Sequence, residues 1–139
     1  MKRVLAFGSF DVLHVGHVYF FKQAKKLGDE LIVVIARDSS VRRIKGKKPF
    51  FTDVERKVIV GALKPVDRAV LGNPHDFFTA IRRFKPQVLV LGYDQQTISL
   101  GAIRNKLNSL GLYSTRIVRL KPHGIGKHKS SNIRSHYAF

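Results

Sequence analysis

The chain has 139 residues, 44% of them hydrophobic, which suffices to bury a core and indicates a folded protein with a single domain over 1–139. It contains no cysteine, which excludes disulfides and thiolate metal sites and makes the cytoplasm the expected location. Lysine and arginine total 26 against nine acids, a formal charge of +17 whose field draws polyanions, and no run approaches the roughly 18 apolar residues that cross a bilayer.

The opening MKRVLAFGSF breaks at Gly8 and meets Asp11, too short a run for a signal peptide, so VLAF (4–7) is expected to be a strand. From about Val18 to Leu27 the apolar positions Phe20, Phe21, Ala24 and Leu27 fall at helical spacing, with Gly28 where a cap belongs. ELIVVIA (30–36) is continuously apolar and β-branched, as a central parallel strand would be. A basic loop over 45–51 follows, and Thr52 and Glu55 then form a T-x-x-E capping box for a helix to about Leu63. VDRAVL (66–71) is the third expected strand. Asn73 and Pro74 predict the start of a helix running to about Phe84. QVLVLG (87–92), a helix over Ser99 to Leu110, and TRIVRL (115–120) complete the alternation, and Ser130 could cap a short last helix. The alternation predicts an α/β fold: a single doubly wound, Rossmann-like, parallel five-stranded sheet with helices on both faces.

In such folds ligands bind beyond the carboxyl ends of the strands, where the strand order reverses. The segments to inspect are therefore 8–17, 37–49, 72–75, 92–96 and 121–131. In GSFDVLHVGH (8–17), Gly8 lets the backbone approach a ligand, Ser9 offers a hydroxyl, and His14 and His17 lie three apart at a helix entry. Free amides and the positive dipole end at that entry would favour an anion. The same residues could instead cap the helix and pack, with Gly16 as a turn residue. A zinc site is not expected, because there is no H-E-x-x-H and no third ligand nearby; no metal-ligating residues are assigned.

GSFDVLHVGH also resembles the G-x-F-D-x-x-H-x-G-H signature of the HxGH nucleotidyltransferases, the superfamily of cytidylyltransferases and small adenylyltransferases. ARDSSVRRIKGKKP (36–49), ERK (55–57), VDRAVLG (66–72), LGYDQ (91–95) and SSNIR (130–134) follow in that family's order. The resemblance spans essentially the whole chain and is closest to the archaeal FAD synthases, with glycerol-3-phosphate cytidylyltransferase a neighbouring pattern. It implies transfer of a nucleotidyl group from a nucleoside triphosphate to a phosphorylated acceptor with loss of pyrophosphate. AMP passing from ATP to FMN is the foremost case, and a sugar phosphate or pantetheine phosphate is an alternative acceptor.

The resemblance also implies roles. His14, His17 and Lys22 form the catalytic group. Gly8, Ser9, Phe10, Val15, Gly16, Gly92 and Asp94 join the histidines in binding the nucleotide, and Ser130, Ser131 and Arg134 hold its outer phosphates. Arg37, Asp38, Lys45, Lys48 and Arg56 lie on the acceptor side with Asp11, which also shapes the turn. Mg²⁺ or another divalent cation would accompany ATP, the partners would be small molecules with no membrane, and a homodimer is a possible assembly. A nucleic-acid-binding module is the rival of another class, suggested by charge and by the doublets Phe50-Phe51 and Phe77-Phe78, although no recognition motif is present and the basic residues are scattered.

Overall fold

The computed structural model describes residues 1–92 and 99–120. They form β1 (Arg3–Gly8), α1 (Val15–Lys25), β2 (Glu30–Ile35), α2 (Asp38–Lys45), α3 (Asp53–Gly61), β3 (Arg68–Leu71), α4 (Thr79–Phe84), β4 (Val88–Gly92), α5 (Leu100–Ser109) and β5 (Arg116–Leu120). All strand pairs are parallel, and the sheet order is β3-β2-β1-β4-β5. The expected α/β architecture is therefore observed, with the order reversing between β1 and β4.

Alternation along the strands divides the core in two. Val4, Ala6, Leu31, Val33, Ile35, Val88 and Val90 face one side and pack against Phe20, Phe21 and Ala24 of α1 and Val60 of α3. Leu5, Phe7, Ile32, Val34, Leu89 and Leu91 face the other and meet Ile81 and Phe84 of α4 and Ile103 and Leu107 of α5. Burial on both faces explains why β2 is continuously apolar.

Three elements differ from expectation. α1 begins at Val15 rather than Val18, because His14 caps it. α2 occupies part of a stretch with no predicted helix; its eight residues DSSVRRIK bury only Ser40 and Val41, too little for an apolar period to be legible. α4 starts at Thr79, although Asn73 does cap: its side chain accepts from the amides of His75 and Asp76 at 2.8 and 3.0 Å. Those bonds close a turn around Pro74 that does not continue into the helix. The last expected helix, after Ser130, lies outside the described residues.

Candidate active site

Register carries Gly8 and Gly92 to the same level at the crevice, since Ala6 of β1 lies opposite Val90 of β4. The chain leaves β1 through a tightly built turn. A Cβ on Gly8 would come within 2.5 Å of the Phe10 ring. Phe10 itself has φ 48°, a left-handed conformation that bulky residues rarely adopt. Its ring supports that conformation by entering the core, 4.8 Å from Phe21 and edge-on to His17 at 5.6 Å.

The polar side of the turn is equally determined. The buried Asp11 carboxylate accepts from the amides of Phe50 and Phe51 at 2.7 and 2.8 Å. Arg56 is fully buried and bridges three segments. Its Nη1 donates to the Ser9 carbonyl (2.8 Å), its Nε to the Phe51 carbonyl (3.1 Å) and its Nη2 to Asp38 (2.8 Å). Arg56 and Asp38 were expected to contact an acceptor. Instead Arg56 is fully buried and has no exposed guanidinium to offer, Asp38 pairs with it while its side chain stays 37% exposed, and Asp11 ties the turn to the loop before α3.

Arg37 donates to Asp53 at 3.1 Å, and the Asp38 amide donates to the same carboxylate. Burial raises the Asp53 carboxyl, but the Asp38 amide and Arg37 outweigh it and leave it below its ordinary value. Asp53 was missed from sequence; its place in the first turn after the Thr52 cap was the available signal. Lys45 reaches the hydroxyl of Ser9 at 3.0 Å, which sets a cation beside the turn. Lys48 is exposed on the loop that follows.

The histidines form a capping box at the start of α1. His14 Nδ1 accepts from the Gly16 amide at 3.1 Å, and His17 Nδ1 accepts from the His14 amide at 3.3 Å. The rings stack with centroids 4.0 Å apart. Capping and ligand binding, posed as alternatives above, are thus compatible: each ring caps through its Nδ1 alone. An Nδ1 that accepts from an amide places the neutral ring's proton on Nε2, so both rings become Nε2–H donors. The expectation of free helix-start amides is corrected here, because His14 and Gly16 direct theirs to imidazole nitrogens. An anion at this end would meet ring N–H groups and the helix dipole.

Burial, then the neighbouring His14 and Lys45, push the His17 pKa down to about 3. A ring that stays neutral in the folded protein but protonates below about 6.5 when unfolded stabilises the fold fully above that pH. That contribution is lost as pH falls from about 6.5 toward 3. We expect the His17 ring signals in an NMR titration to stay unchanged from pH 8 to 5; a midpoint near 6.5 would contradict this.

Lys22 lies in the last turn of α1, about 7 Å along the helix axis from His17 by helical rise. Its side chain is exposed, and the structure does not group it with the histidine pair. Val15 is exposed beside the pair, and Gly16, between the two histidines in sequence, is buried. Asp94, Ser130, Ser131 and Arg134 lie outside the described residues.

Known proteins of like sequence agree with this architecture. A FAD synthase from Thermoplasma volcanium is 42% identical over 134 residues, covering 96% of this chain and 92% of the relative. A FAD synthase from Aciduliprofundum boonei is 47% identical over 124 residues, covering 89% and 81%. A crystal structure described as a lipopolysaccharide core biosynthesis protein from Thermoplasma volcanium superposes with a TM-score of 0.82 at 44% identity, covering 88% of this chain and 98% of its own. The cytidylyltransferase-like family model matches residues 5–136, and with relatives this similar along nearly its whole length the chain belongs to that family and is a nucleotidyltransferase.

Proposed function

We propose that the chain transfers AMP from ATP to FMN, forming FAD and pyrophosphate. The observation that carries this is the pair of Nε2–H donors set by the His14–His17 capping box at the end of β1. In-line transfer requires alignment and charge stabilisation more than a protein nucleophile. A phosphate oxygen of FMN attacks the α-phosphorus and forms the new P–O bond. The bond from the α-phosphorus to the bridging oxygen breaks, and pyrophosphate leaves with that electron pair. His17, neutral and fixed in tautomer, donates to an oxygen gaining charge and does not surrender its proton. His14 stacks on it and donates alongside.

Lys45, beside Ser9, places positive charge where phosphates converge, and Lys48 and Arg37 flank the acceptor side. Asp94 at the ribose, and Ser130, Ser131 and Arg134 at the outer phosphates, complete the reading by resemblance. Among the described residues no group of three or more His, Asp or Glu is assembled to hold a metal ion. In this reading a divalent cation such as Mg²⁺ would accompany the triphosphate, held largely by its oxygens and water, and would lower its charge.

The test is a substrate matrix. Purified protein, Mg²⁺ and ATP or CTP are offered FMN, glycerol 3-phosphate, a sugar phosphate or pantetheine phosphate, with pyrophosphate as readout. Release with ATP and FMN, and FAD as product, is expected. Release only with CTP and glycerol 3-phosphate would replace the proposed substrates, and no release with any pair would overturn the reading.

A further inference from the structure

Parallel strands put all their N-terminal ends on one edge, about 20 Å from the catalytic edge for strands of this length. That far edge gathers three arginines on one ring, beside Asp29, Glu30 and Asp67 at the starts of β2 and β3. The guanidinium carbons of Arg3, Arg68 and Arg83 lie 5.9, 5.4 and 4.6 Å from the centroid of one ring, Phe84. Of the three, Arg3 alone is ion-paired among the described residues, to Glu30 at 2.7 Å. Arg68 and Arg83 are exposed and hold no ion pair among the described residues.

Nor does the chain have acids to spare for them. Apart from Asp94, outside the described residues, every acidic side chain already holds a partner. Glu30, Asp38, Asp53, Asp67 and Asp76 pair with Arg3, Arg56, Arg37, Lys25 and Arg82, and the others accept from backbone amides. Charge on this edge is thus directed outward.

Two further features share the edge. Lys85 ends α4 with φ 46°, where glycine or asparagine would be less strained, so a cation is retained at a conformational cost. Tyr113, in the turn entering β5, is 72% exposed, three residues before Arg116 at the start of that strand. From Arg68 on β3 to Arg116 on β5 is four strand spacings, about 19 Å.

The geometry points to a second ligand site on this edge, for single-stranded RNA. Arginines held by stacking on Phe84 present their N–H edges to successive phosphates, and Tyr113 offers a face to an unstacked base. Among the described residues no helix or ribbon projects from the edge to enter a duplex groove, and a single strand with bases exposed is the form this edge would take. An anionic membrane would instead require a cluster of apolar anchors. At the starts of β1 and β5 on this edge the large exposed apolar side chains among the described residues are Met1 and Tyr113, which do not form such a cluster. Such a site would be independent of nucleotidyl transfer.

The experiment is fluorescence anisotropy of the full chain with a labelled 20-nucleotide single-stranded RNA. Arms with saturating ATP and with phosphatidylglycerol vesicles in place of RNA accompany it. Expected is binding that weakens steeply with salt and survives ATP. Arg68→Ser with Arg83→Ser should weaken it at least tenfold and reduce the log–log salt slope by about 0.7 for each arginine removed. Tyr113→Ala should weaken it at least fivefold while leaving the slope unchanged. Both variants should retain the wild-type rate of pyrophosphate release. Absence of binding at low salt, displacement by ATP, undiminished binding by the double arginine variant, or binding to vesicles but not RNA would each overturn the proposal.

Discussion

Replacing His17 with alanine is expected to lower turnover about 10²–10³-fold, the loss typical of deleting one preorganised donor to a transition-state oxygen. The folded structure should persist. The substitution removes one half of the capping box at the start of α1, a loss of about 1 kcal/mol, while the core on both sheet faces is untouched. Steady-state kinetics with ATP and FMN, beside thermal unfolding, separates the two effects. Near-normal turnover in a folded variant would remove His17 from the reaction. Because His17 stays neutral to about pH 3, the activity profile of the wild type should show no acid limb near pH 6.5 attributable to this ring.

Arg56→Met is expected to destabilise the protein by about 3 kcal/mol, the low end for breaking a buried ion pair. The low end applies because the Asp38 side chain is 37% exposed and can recover water, whereas Arg56 is fully buried. Methionine also leaves the Ser9 and Phe51 carbonyls without the donor that ties the turn after β1 to the loop before α3. Turnover should therefore fall more than the folded fraction does. Arg56→Lys should recover only part of either loss, since an ammonium lacks the planar fork that reaches three acceptors. Urea unfolding of both variants checks this. A shift below 1 kcal/mol for Arg56→Met would mean the bridge does not hold the fold together.

The strands were legible because burial on both sheet faces leaves continuous apolar runs, as in ELIVVI, that no amphipathic helix would produce. α3 was legible from its cap, and both capping-box bonds of Thr52 and Glu55 are present. α2 was not, because a short basic helix that buries Ser40 and Val41 has no apolar stripe to detect. Asn73 carried a correct local signal and a wrong extent: side-chain capping is decided by neighbours in sequence, but propagation into a helix depends on what α4 packs against.

For the candidate site, sequence alone determined the residue types, their order, and the position of His14 and His17 at a strand-to-helix junction. These are local properties, set by spacing along the chain and by the resemblance that spacing carries. Only the tertiary structure decided which side chains stay exposed at the crevice and which are buried to hold the turn. Arg56 looks like any exposed basic residue of the ERK stretch, yet α3 carries it under the turn after β1. Likewise, the protonated nitrogen of each imidazole follows from which backbone amide its ring meets. Burial, ion pairing and tautomer depend on residues far apart in the chain, and they exist only once β1, α1, α2 and α3 are packed together.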